Sequence, residues 1–223
     1  VMTEYVDVPG FPYAVEVDSD EFIGHLTTTY WNTNDAAVKS STKPVIRHFK
    51  HIACLNPKRE IVNNRFAYQL ENDFLTIGID LANSRGEAIV VNRNGWHVTA
   101  VHGFKFKRYP HMHPLPAPSK NGDLLPLFDL ANLQREQDKL LVAPWLVIAP
   151  NNSIPRPILA LHGLQGSAKT VTALMLRNII DPISTGGIYV PNSTNELAQN
   201  LHHHAVPLFD NITNLHKKSC DIL

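Results

Sequence analysis

Cysteine is scarce in this chain, with Cys54 and Cys220 the only two in 223 residues. They share no metal-ligand spacing and no framework pattern, which argues against a zinc module or a disulfide-stapled secreted domain and suits a reducing cytoplasm. Long apolar runs are missing as well. The longest, Leu140 to Pro150, is too short to span a bilayer and is interrupted by prolines around Trp145, so neither a signal-like nor a membrane-spanning stretch is expected. No sign of charge dominates, because 20 Lys and Arg balance 20 Asp and Glu with His neutral. A global basic field that would announce a nucleic-acid partner is therefore lacking. What is present, 43% hydrophobic and 18% charged residues, is ordinary for a globular chain of one large or two small domains.

Residues 1–18 read as irregular or short-strand material punctuated by Pro9, Gly10 and Pro12. Asp18-Ser19-Asp20-Glu21 offers a helix start, and Phe22, Ile23, Leu26 and Tyr30 carry helical spacing. After a polar gap at Asn32 to Asn34, a second helix is expected with Pro44 in its first turn and Val45, Ile46, Phe49 and Ile52 as its apolar face. Lys39, Lys43, Arg47, His48, Lys50 and His51 make this region locally basic, which reads as a solvated helix face, with DNA or RNA contact as the alternative. From Ile61 to Phe106 the period changes to two. Segments 65–70, 74–80, 88–91 and 96–101 alternate, Glu71-Asn72-Asp73 and Asn92-Arg93-Asn94-Gly95 are hairpin turns, and 104–108 adds a fifth strand with Lys105, Lys107 and Arg108 on one side. A small antiparallel sheet of four or five strands packed on the two helices is the expectation.

Prolines 110, 114, 116, 118 and 126 predict an extended connector, and the domain boundary is placed there, with domains 1–113 and 129–223 joined by 114–128. Asp129 to Ala149 reads as one helix with Leu133, Leu140, Leu141, Trp145 and Ile148 facing inward. His111-Met-His113 and His202-His203-His204 invite a metal assignment, but neither has partners at ligand spacing, and consecutive helical residues point in different directions. No local motif supports covalent catalysis.

The chemistry concentrates in residues 157–181. Ile158 to Leu161 has the length and composition of a buried strand, a turn follows, and Val171, Leu174, Met175 and Ile179 then have helix-compatible spacing. Between them Gly163-Leu164-Gln165-Gly166-Ser167-Ala168-Lys169-Thr170 departs from a phosphate-binding loop only in carrying Ala168 before the lysine. In such a loop consecutive N–H groups and the helix N-terminus make an anion site. Gly163 is expected to need an unusual φ, Gly166 to allow close backbone approach, and Ala168 to sit at the start of the helix with negative φ. Lys169 would reach the β- and γ-phosphates and Thr170 would ligate Mg²⁺. The alternative is a glycine-bearing strand-to-helix turn with a surface lysine. About 40 residues further on, Ala205-Val206-Pro207-Leu208-Phe209-Asp210-Asn211 is a short apolar run ending in an acid, placed to hold the same magnesium.

HGLQGSAKT, LRNIIDP and VPLFDN together resemble the ATP-binding proteins of bacteria and their phages that look like primase-associated, superfamily 3-type helicases. The specific part covers residues 155–215. The resemblance implies an α/β P-loop NTPase domain preceded by a small α+β domain, binding ATP with Mg²⁺. Lys169 and Asp210 would be its catalytic residues, Gly163 to Thr170 its nucleotide-binding residues, and Thr170 and Asp210 its metal ligands. Nucleotide is then the expected partner, with DNA or RNA and a second copy of the chain further candidates. Asn211 stands where many motor ATPases carry a water-activating glutamate, and an amide cannot take a proton. The chain ends 13 residues after Asp210, in Lys217 to Leu223. This gives the expectation of an incomplete domain that binds ATP, hydrolyses it slowly or not at all, and leaves apolar surface uncovered. The rival expectation is a non-enzymatic module in which the loop is a structural support.

Overall fold

The computed structural model describes residues 4–56, 60–191 and 193–212. Cys220 and the tail from Lys217 lie outside them. Packing, rather than chain order, divides the protein into two compact units: Val1–Asn63 with Phe104–Arg108, and Asn64–Gly103 with Tyr109–Leu223.

In the first unit β1 (Tyr5–Asp7) and β2 (Ala14–Glu16) pair antiparallel, and α1 (Asp20–Asn34) and α2 (Lys43–Leu55) follow. The Ser19 hydroxyl caps α1 by accepting from the Phe22 amide at 3.2 Å, while Asp20 and Glu21 complement the positive end of the helix. α1 runs through the polar segment Asn32 to Asn34 and ends at Asp35, which adopts φ 48°. Val8, Val15, Val17, Phe22 and Ile46 form the core, with Phe49 edge-on to Phe22. β3 (Val62–Asn63) pairs in parallel with β8 (Lys105–Phe106), so the fifth strand expected in the large sheet belongs to this separate ribbon. Its cations are engaged inside the unit. Lys105 pairs with Asp7, Arg108 lies 5.0 Å from the Tyr13 ring centre, and Lys107 is 5% exposed, its amine 5.5 Å from the Tyr5 ring centre. Burial pulls the Lys107 pKa down to about 8.

The second unit holds the antiparallel meander β4 (Phe66–Glu71), β5 (Phe74–Asp80), β6 (Ala88–Asn92) and β7 (Gly95–Thr99). Asn72 and Asp73 turn the first hairpin with positive φ; in the last, Asn92 pairs with Gly95 across Arg93-Asn94, and of the Asn-Gly pair only Gly95 has positive φ. The register aligns Phe66, Ile79, Ile89 and Val98 on one face. Phe66 is buried with Phe128 of α3 (Leu125–Leu130), Val142 and Leu146 of α4 (Glu136–Ile148), and Leu176 and Ile180 of α5 (Lys169–Ile180). The sheet therefore shares its core with the C-terminal helices, which corrects the boundary expected at 114–128.

A buried ion pair supplies the physical reason. Arg65 and Asp181 are 0% and 1% exposed, with Arg65 Nε donating to Asp181 Oδ1 at 3.0 Å. Three of the four remaining guanidinium hydrogens reach the carbonyls of Asp80 (3.2 Å), His113 (2.8 Å) and Pro182 (3.1 Å), so the charge is desolvated yet each of its nitrogens is partnered. The proline-rich stretch is pinned in the same place, because Leu115 donates to Leu81 and His113 to Pro182, both at 2.9 Å. It works as a strap and not as a linker.

The single helix expected over 129–149 is broken. Asn132 takes a left-handed conformation (φ 53°), and the buried positions of α4 are Val142 and Leu146, one turn apart, while Leu140 and Leu141 face solvent at 71% and 68% exposure. In α5 the buried residues are Leu176, Arg177 and Ile180, and the expected face residues Val171 and Ile179 are exposed. α6 (Thr194–His203) completes the unit. Among the described residues no helix is long and apolar enough to cross a membrane.

Candidate functional site

Residues 157–162 lead into the loop without regular secondary structure, with Leu159 and Leu161 half-buried and the rest exposed. The expected buried strand is absent here: no ladder forms over Ile158 to Leu161, and Ile158 is 71% exposed. Pro155 and Pro157 have no N–H to give a neighbouring strand. The segment is held instead by Trp145, whose indole N–H donates to the Pro157 carbonyl at 3.0 Å, and by Leu159 packing on the core.

The loop then makes three left-handed excursions, at Gly163 (φ 155°), Gly166 (φ 78°) and Ala168 (φ 57°). The unusual φ expected at Gly163 is there, and a Cβ on it would lie 3.2 Å from the Ser167 hydroxyl. Ala168 differs from expectation, since its φ is positive. An L-residue pays about 1–2 kcal/mol for that conformation, so the departure from glycine carries a cost. Backbone that alternates in hand tends to turn its N–H groups toward a common concavity, and the first-turn amides of α5 have no intrahelical acceptor. Lys169, half-buried, folds its ammonium over the loop and donates to the carbonyls of Gly163 (3.0 Å) and Leu164 (2.7 Å) and to the Ser167 hydroxyl (3.4 Å). Leu164 and Gln165 are exposed on the outer side.

Asp210 arrives on a two-strand parallel ribbon. Ile188 bridges Phe209, with the Ile188 amide donating to Leu208 at 2.8 Å and the Asp210 amide donating to Ile188 at 2.9 Å. This brings the half-buried Asp210 carboxylate to the Thr170 hydroxyl, at 3.2 Å to Oδ1 and 3.1 Å to Oδ2. Asn211 follows with φ 54° and its amide on Asp210 Oδ1 at 2.9 Å. The sequence thus nominated two residues 40 positions apart that meet in space. A third, Gly187, was missed: a Cβ there would fall 2.7 Å from Asp210 Cβ and 2.8 Å from Leu208 Cδ2. The pair Gly186-Gly187 just ahead of a short apolar run was its available signal.

The histidines do not join this site. Among the described residues no group of three or more His, Cys, Asp or Glu side chains could hold a metal ion. His111 stacks on Tyr109 (5.5 Å) and meets His204 (4.7 Å), and Tyr109 also meets His203 (4.9 Å). Burial lowers the pKa of both His111 and His204. Compared with known proteins, the chain finds no counterpart: no family model matches, and neither does a curated protein or a solved structure.

Proposed function

We propose that Gly163 to Thr170 and Asp210 bind ATP with Mg²⁺, making the C-terminal part of the chain a nucleotide-binding domain of the P-loop type. The observation that carries this reading is the contact of the Thr170 hydroxyl with the Asp210 carboxylate, next to a loop that concentrates Lys169 and the α5 N-terminus. A hydroxyl and a carboxylate side by side are hard oxygen donors of the kind magnesium takes, with waters and phosphate oxygens filling the octahedron. The α5 amides and the Lys169 ammonium supply positive potential for an anion. Thr170 and Asp210 would hold the metal, which would supply neutralisation of phosphate charge. Lys169 would exchange its contacts with the Gly163 and Leu164 carbonyls for phosphate, a change that leaves only hydrated loop oxygens behind.

The test is a thermal-shift titration with ATP and Mg²⁺. A ligand present at 100 times its dissociation constant stabilises the fold by about 2.7 kcal/mol, and Lys169→Ala should abolish the shift. A titration with no shift for the wild-type chain would defeat the reading.

Binding without turnover is the second reading, and Asn211 favours it, because an exposed amide follows Asp210 and cannot accept a proton. Single-turnover hydrolysis, measured with and without nucleic acid, separates an ATPase from a binding module.

A further inference from the structure

α5 and its C-cap residue present three polar side chains toward one neighbouring segment. Thr170 and Arg177, seven residues or about two turns apart, share a face of the helix, and Asp181 follows as its C-cap. Each holds a different point of the ribbon that delivers Asp210. Thr170 meets the carboxylate itself. Asp181 Oδ2 accepts from the Val206 amide at 3.0 Å, where the second strand of the ribbon begins. Arg177 grips the turn before the first strand, donating from Nη2 to the Thr185 carbonyl at 2.7 Å and from Nη1 to the Gly186 carbonyl at 3.2 Å.

Arg177 is the unexpected member. It is 2% exposed, and its hydrogen-bond acceptors are two backbone carbonyls and, at 3.5 Å, the Asn178 side chain; its buried Nε has none. Asp181 acts on it at a distance, and burial pulls its pKa below the ordinary arginine value. Burying a guanidinium without a contacting carboxylate is costly, and Leu or Met would fill an apolar helix face at lower cost. What the charge does reach is the backbone at Thr185 and Gly186, immediately ahead of Gly187 and the isolated bridge from Ile188 to Phe209. Among the described residues, two backbone hydrogen bonds join the Asp210 segment to its neighbour.

We infer that Arg177 is a positioning residue for Asp210: by clamping Thr185 and Gly186 to α5 it sets the ribbon height at which the Asp210 carboxylate meets Thr170. The inference rests on the reading of Asp210 and Thr170 as magnesium ligands. It makes Arg177 specific for the metal-dependent part of nucleotide binding, since its hydrogen bonds go to Thr185, Gly186 and Asn178 and not to the loop 163–169.

The experiment measures ATP affinity of the full chain in Mg²⁺ and in EDTA for wild type, Arg177→Met and Arg177→Lys, together with hydrogen exchange of the Ile188 and Asp210 amides without nucleotide. The expected result for Arg177→Met is loss of the magnesium gain by roughly tenfold or more, as when a residue behind a metal ligand is removed, with the EDTA affinity kept. Arg177→Lys, able to reach one carbonyl, should recover part of the gain. Both amides should exchange faster in Arg177→Met while the α4 amides keep their protection. Equal loss of affinity in Mg²⁺ and EDTA, or unchanged exchange at Ile188 and Asp210, would overturn the assignment. Should the wild-type chain bind no ATP while the exchange behaves as expected, the clamp on Asp210 stands and the nucleotide reading fails.

Discussion

Gly187 and Asp210 approach so closely that a single methyl group cannot be placed between them, the added carbon lying 2.7 Å from Asp210 Cβ. Real Cβ contacts do not reach that distance, so Gly187→Ala must push the two strands of the ribbon apart. The expected outcome is a destabilisation of about 1–3 kcal/mol, the range of overpacking at a tight site. Loss of the magnesium gain in ATP affinity should accompany it. Urea unfolding and paired titrations measure both, and an unchanged magnesium gain would show that the ribbon does not set the metal ligand.

Lys169→Ala should remove measurable ATP binding and leave the fold alone. The ammonium contacts only exposed loop oxygens, which water can satisfy, so stability should stay within about 0.5 kcal/mol of wild type. Unchanged ATP affinity would remove the phosphate-loop assignment.

Asp210→Asn separates metal from phosphate. The amide oxygen can still accept from the Thr170 hydroxyl, so the local geometry survives, but the negative charge proposed to attract Mg²⁺ is gone. Affinity in EDTA should be kept and the magnesium gain lost; a surviving gain would make Asp210 an ordinary strand end.

Much of this was legible in the sequence where local signals agree with packing. The two hairpins of the meander follow from alternation and turn chemistry, and the α1 start follows from Ser19 and its acidic neighbours. The meeting of Thr170 with Asp210 was anticipated from the loop motif together with an acid-ended apolar run about 40 residues further on. Long-range partnerships were not legible. Nothing local says that Arg65 and Asp181, 116 residues apart, pair in the core, and that pair is what moves the sheet into the C-terminal unit. Leu140 and Leu141 misled for the opposite reason, since a leucine run carries no phase until its neighbour is known, and Val142 and Leu146 took the inward face. At Ala168 the residue type pointed to negative φ, and the surrounding turn overrode it.

That strain is itself testable. Ala168→Gly removes the steric penalty of φ 57° and adds backbone freedom to the unfolded chain, two effects of similar size and opposite sign. At a left-handed position the steric relief is the larger, so a net stabilisation of up to about 1 kcal/mol is expected, with ATP affinity maintained or raised. A destabilisation read from urea midpoints would mean that Ala168 does not hold the conformation described.

The last prediction concerns pH. His111 and His204 face each other with ring centres 4.7 Å apart, and His111 Nε2 and His204 Nδ1 are buried without a hydrogen-bond partner. Burial is the main reason both pKa values fall below the ordinary 6.5. At His111 the His203 backbone and nearby Asp181 favour protonation while the His203 ring and Arg65 oppose it; at His204 Asp181 favours it while His111, His203 and Arg177 oppose it. The folded unit therefore takes up these protons later than the unfolded chain as pH falls. Stability from the neutral pair is fully present above 6.5 and is lost as pH drops from there toward the lowered values. Urea midpoints taken between about pH 8 and pH 5 should decline across that window, and the decline should be smaller in His204→Gln, whose side chain cannot titrate. Parallel slopes for the two proteins would assign the acid sensitivity to other groups.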